Sequence, residues 1–99
     1  MATIAVLGTL DTKGHEHAFV ADRIRQRGHK PLLIDVGSGA PPQVAADITR
    51  EQVAASGGID LKALAERRDR GECVSAMAEA APRLLSRLQQ QGEIDGVIS

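Results

Sequence analysis

The chain predicts an α/β fold: a three-layer, Rossmann-like parallel sheet flanked by helices, incomplete at three strands. Three observations carry that prediction. Two short apolar runs, Thr3–Leu7 and Pro31–Val36, bracket a segment with helical spacing, the β-α-β pattern of a parallel strand pair. Further on, Val74, Met77, Ala78, Ala81, Leu84, Leu85 and Leu88 form an apolar stripe at helical spacing. A third apolar run then begins at Ile94.

The first element, Thr3–Leu7, is a buried strand closed by Gly8. A helix is expected from about His15 to Arg27, with Val20 and Ile24 on one face. Gly28 suits the position just past its end, and Arg23, Arg25 and Arg27 suit the negative end of its dipole. Pro31–Val36 forms the second strand, and Gly37–Pro42 a loop. Thr49 and Gln52 have the spacing of a capping box, predicting a short helix that ends at Gly57 and Gly58. Ile59–Arg68 adds another helical turn or two. Asp69 and Glu72 repeat the capping-box spacing and open the long helix, which Pro82 is expected to kink or divide. Gly92 ends that helix, and Ile94–Ile98 begins the third strand.

Ninety-nine residues suffice for one small domain and are too few for two. Three strands make a small sheet for this architecture. Residues 1–99 are therefore expected to be the N-terminal part of one nucleotide-binding domain, with its remainder and a second domain absent. An apolar content of 42% disfavours both disorder and a membrane span. Phe19 is the one aromatic residue, too little for a base-stacking surface. A net charge of −1 leaves no electrostatic footprint for duplex DNA or an anionic membrane. The lone Cys73 rules out an internal disulfide framework and fits a reducing compartment. No secretory signal is visible at the N-terminus, so a cytoplasmic location is expected.

The segment with chemical character is Gly8-Thr9-Leu10-Asp11-Thr12-Lys13-Gly14, which joins the first strand to the first helix. Its glycines permit unusual backbone angles or the close approach of a ligand. Unpaired N–H groups at the following helix start favour an anion. Thr9 and Thr12 add hydroxyls, Lys13 a point charge, and Asp11 a carboxylate suited to a sugar hydroxyl or a metal-bound water. The spacing is neither GxxxxGK[ST] nor GxGxxG. Lys13 sits at the positive end of the helix dipole, an arrangement unfavourable by roughly 0.3–1 kcal/mol. A bound phosphate would reverse that sign, whereas a solvated lysine would make the cost small.

This motif, followed by Glu16, resembles the opening signature of proteins with a Tm-one-like ATP-binding domain. That family includes bacterial and fungal proteins and the tomato protein conferring resistance to tomato mosaic virus. Further resemblance lies in Ile34-Asp35-Val36-Gly37, Ala46-Asp47-Ile48, Asp69-Arg70-Gly71-Glu72 with Ala76-Met77-Ala78, and Asp95-Gly96-Val97-Ile98-Ser99. The resemblance implies ATP binding at the strand ends, with magnesium optional, by Gly8, Thr9, Leu10, Asp11, Thr12, Lys13, Gly14, Asp35 and Gly37. It also implies self-association in at least some members and a site only partly held by this chain.

Other candidates weigh less. Asp35 ends the second strand, where dinucleotide-binding folds place a ribose-binding carboxylate, although a strand-end Asp also caps turns. Gly37 and Gly39 either admit a ligand or simply turn the chain. Asp47 reads best as a local turn former. His15 and His17, spaced i and i+2, do not share a helix face, and His29 lacks a partner set, so no metal site is expected. Cys73 lies near a helix start but has no evident base, and Arg67, Arg68 and Arg70 read as a solvated face. No catalytic constellation is present.

Three functions compete. In the first, the domain binds nucleotide, and Lys13→Ala weakens ATP more than adenosine. In the second, it is a protein-interaction module with a structural nucleotide. In the third, it belongs to an enzyme whose chemistry resides in an absent C-terminal region.

Overall fold

A computed structural model of the chain describes residues 1–66 and 70–99. The elements run β1 (Thr3–Gly8), α1 (Leu10–Gln26), β2 (Lys30–Asp35), α2 (Arg50–Ser56), α3 (Leu61–Glu66), α4 (Arg70–Gln90) and β3 (Gly96–Ile98). The three strands are parallel in the order β2-β1-β3, with Val6 of β1 level with Leu33 of β2 and Ile98 of β3. A parallel sheet covered on both faces needs strands that are apolar throughout rather than alternating. β1 meets that demand: Ala5 and Val6 point to opposite faces and both are fully buried.

On one face, Val6 and Leu33 pack with Leu10, Val20 and Ile24 of α1. On the other, Ala5 and Ile34 pack with Val53 and Ala54 of α2 and with Met77, Ala80, Ala81, Leu84 and Leu88 of α4. The result is the expected three-layer α/β arrangement. Because the chain steps from β1 to β2 and then back past β1 to β3, right-handed connections put successive helices on opposite faces. The strand order reverses between β1 and β3, and such sheets open a ligand crevice beyond the strand ends at that reversal.

The free edge of β2 is closed locally. Leu33 donates its N–H to Oδ2 of Asp47 at 2.7 Å, and Ile48 bridges Ile34. This protects an edge otherwise open to pairing with another chain, so Asp47 has a structural role.

Several boundaries differ from expectation for identifiable reasons. α1 begins at Leu10 rather than His15, so the Gly8–Gly14 segment is a strand end and a first helical turn instead of an open loop. Two things make it helical. Leu10 buries its side chain completely in the α1-side core, and its N–H donates to Oδ1 of Asp35 at 3.2 Å. The irregularity is confined to Lys13, whose φ of −126° and ψ of 28° interrupt the helix. At the other end, Gly28 takes a φ of +82°; its N–H donates to the Arg25 carbonyl and that of His29 to the Ile24 carbonyl. These paired bonds satisfy carbonyls that the helix leaves open.

The capping box of α2 forms as predicted, with Thr49 and Gln52 each bonding the other's backbone. Asp69, the expected cap of α4, lies outside the described residues, as do Arg67 and Arg68. α4 is one helix across Pro82, not two. Pro82 is exposed, while Ala80, Ala81 and Leu84 on either side of it are anchored in the same core. The proline's local cost is the N–H that would have met the carbonyl of Ala78. Among the described residues, no helix is long and apolar enough to cross a membrane.

Candidate functional site

The carboxyl ends of β1 and β2 lead into two segments, the β1–α1 turn and the loop after β2, which a buried ion pair ties together. Asp35 closes β2 with 1% of its surface exposed, and Arg50 opens α2 with 7% exposed. Arg50 Nε donates to Asp35 Oδ2 at 3.1 Å, and its Nη1 donates to the Gly39 carbonyl at 3.0 Å. Oδ1 of the same aspartate accepts the N–H of Leu10 at 3.2 Å and that of Gly37 at 2.8 Å. The Gly39 N–H in turn reaches Oδ2 of Asp11 at 3.1 Å. One buried carboxylate thus anchors the start of α1, the loop after β2 and the start of α2.

This accounts for several predicted residues in ways the sequence left open. Asp35 is consumed by the fold and faces no opening, so a ribose role does not carry forward. A Cβ on Gly37 would lie 2.7 Å from Asp11 Oδ1 and 3.0 Å from Asp35 Oδ1, so its glycine admits two carboxylates. A Cβ on Gly8 would enter the His17 ring, which is held by a 2.8 Å bond from Nδ1 to the Lys13 carbonyl. A Cβ on Gly14 would come within 2.8 Å of Gln43 Cβ, and Gln43 Oε1 accepts the His15 N–H at 3.3 Å. These glycines make room for the protein's own side chains.

The helix start is also less receptive to anions than the sequence suggests. Thr12 and Lys13 donate their N–H groups to the Thr9 carbonyl at 3.2 and 2.8 Å, and Leu10 donates to Asp35. Thr9 and Thr12 bond each other through their hydroxyls at 2.9 Å. Lys13 is exposed and does not line the adjoining cavity.

That cavity has a volume of about 700 Å³. Its polar side consists of Thr9, Asp11 and Thr12 from the turn, with Ser38 and the backbone of Gly39 from the loop after β2. Its apolar side is the outer stripe of α4, namely Val74, Met77, Ala78, Ala81, Pro82 and Leu85, with Leu7 at the end of β1. Thr9, Asp11 and Thr12 are therefore brought to one opening, whereas Gly8, Leu10, Lys13, Gly14, Asp35 and Gly37 frame or support it. The α4 stripe plays two parts: one side packs on the sheet and the other forms a cavity wall. Arg50 escaped the sequence reading. Its signal was a cation immediately after the Thr49 cap, where the helix dipole opposes it and a buried carboxylate offsets the mismatch. Among the described residues, no group of three or more His, Cys, Asp or Glu side chains converges on a metal position.

Comparison with known proteins adds a family. The model for the N-terminal domain of UPF0261, described as an uncharacterised protein family, matches residues 2–99. A UPF0261 protein of Clostridium tetani is 35% identical over 96 residues, covering 97% of this chain and 24% of its own length. One from Brucella suis is likewise 35% identical over 96 residues and is covered to 23%, and one from Rhizobium meliloti is 41% identical over 85 residues and is covered to 21%. The chain thus spans less than a quarter of the length of these relatives. No solved structure matches. The matching family corrects the resemblance to the Tm-one-like ATP-binding domain: the motifs that carried it fall within residues matched by UPF0261, and no match is to the Tm-one-like family.

Proposed function

This chain belongs to the UPF0261 family, and from that premise we propose, on the strength of its site alone, that the domain binds ATP or a nucleotide of similar build. The supporting observation is the cavity of about 700 Å³ beyond the carboxyl ends of the strands, with hydroxyls and a carboxylate opposite an apolar helix wall. Small-molecule sites occupy about 300–1,000 Å³ and combine apolar lining with a few polar groups. The apolar side of α4 suits a base, and the polar side suits hydrogen-bonding substituents. Magnesium, where required, would arrive on the nucleotide, since no carboxylate cluster among the described residues gathers it.

Calorimetric titration of ATP, with and without magnesium, into this chain tests the reading. Saturable binding is expected, and no binding of either ATP or adenosine would overturn it. Lys13→Ala is expected to change the ATP dissociation constant by less than about twofold, as for other solvated surface charges. A tenfold or greater loss confined to ATP would restore Lys13 to the site.

A second reading has its own observation: Val74, Val97 and Ile98 are 53%, 47% and 44% exposed. Such apolar side chains support a surface for self-association or for a protein partner. Cys73, a free and buried thiol, suits the reducing cytoplasm.

A further inference from the structure

The cavity's polar side differs chemically from a phosphate cradle. A cradle offers unpaired N–H donors, whereas the β1–α1 turn has already used those of Leu10, Thr12 and Lys13 within the chain. What remains is acceptor capacity. Asp11 lines the cavity, and its carboxylate accepts one bond, from the Gly39 N–H to Oδ2. Its Oδ1 is buried and has no hydrogen-bond partner among the described residues. An ionised carboxylate has about two acceptor positions on each oxygen; those of Oδ1 are closed to the cavity, and Oδ2 keeps one beyond the Gly39 bond. The polar side of the opening therefore offers an acceptor, Asp11, opposite the apolar α4 wall.

We infer that the β1–α1 turn receives the sugar hydroxyls of the ligand rather than its phosphates, with Asp11 as their acceptor. This rests on the nucleotide reading above and specifies which end of the nucleotide is held. A hydroxyl donates to the Asp11 carboxylate, whereas a phosphate would meet that negative charge and few free donors at the turn. The base then lies along the α4 wall, and the phosphates leave the turn.

The test is a set of titrations with adenosine, 2′,3′-dideoxyadenosine and ATP on the unmodified chain and on Asp11→Asn. Asparagine keeps a carbonyl oxygen for the Gly39 N–H. Dideoxyadenosine is expected to bind about tenfold or more weakly than adenosine to the unmodified chain, the loss typical of a bond to a charged acceptor. Asp11→Asn is expected to weaken adenosine and ATP alike and to erase that discrimination. Equal binding of adenosine and dideoxyadenosine to the unmodified chain would overturn the assignment without requiring any variant to fold. Asp11→Asn tightening ATP but not adenosine would put phosphate at the turn, overturning the inference while leaving nucleotide binding intact. Failure of both adenosine and ATP to bind would overturn the inference together with the reading beneath it.

Discussion

Arg50→Met is expected to destabilise the domain by about 3–5 kcal/mol, as removal of one partner from a buried ion pair typically does. The cause is the charge left on Asp35, which would remain buried with only the Leu10 and Gly37 N–H groups beside it. A domain of this size is stable by about 5–15 kcal/mol in all, so the variant approaches the unfolding threshold. Urea unfolding followed by circular dichroism measures the difference. Asp35→Asn in the same chain removes the orphaned charge while keeping an acceptor, so the double variant is expected to recover much of the loss. A single-variant cost below about 1 kcal/mol would mean that the pair is hydrated and does not tie the loops.

The second large effect is expected at Gly8. Gly8→Ala drives a methyl group into the His17 ring, and that ring is fixed by its bond to the Lys13 carbonyl. Overpacking of this kind costs about 1–3 kcal/mol, set here by how far the half-buried ring must turn and by the loss of its bond to the Lys13 carbonyl. Truncating the intruded ring should relieve the clash, so Gly8→Ala with His17→Ala is expected to be more stable than Gly8→Ala alone. Thermal melts of the variants measure the coupling directly. A Gly8→Ala chain that melts with the parent would show that the ring moves aside freely.

The elements of this fold were largely legible because their signals are local. Three apolar runs separated by helical spacing produce the sheet, and Thr49 with Gln52 produces a capping box from four consecutive residues. The start of α1 was not legible, since its first N–H is satisfied by Asp35 across the sheet and not by a neighbouring side chain. A second non-local contact of Asp35 hid Arg50, which lies fifteen residues away from it. Gly8, Gly14 and Gly37 show the limit most clearly. Glycine in a strand-to-helix segment advertises a close approach but not what approaches, and here the visitors are His17, Gln43 and two aspartates. Pro82 misled in the opposite direction, because a helix anchored in the core on both sides of a proline outweighs one missing bond. The cavity's composition was partly visible in Thr9, Asp11 and Thr12. Its apolar wall was hidden because helical spacing alone does not say how much of the α4 stripe the sheet covers.

The central position of β1 also sets an order of events during synthesis. Its partner β2 follows closely, whereas the link from Thr3 to Asp95 joins residues 92 positions apart, through a 2.8 Å bond from the Thr3 N–H to Oδ2. A ribosome adding about 5–20 residues per second needs roughly 3–12 s to make the sixty or so residues between β2 and β3. Throughout that interval one side of β1 has unpaired amides and carbonyls beside a strand that is already apolar on both faces. Closure by so distant a segment is intrinsically slow. The nascent chain is therefore most exposed to wrongful pairing at its earliest strand, and β3 acts as the seal.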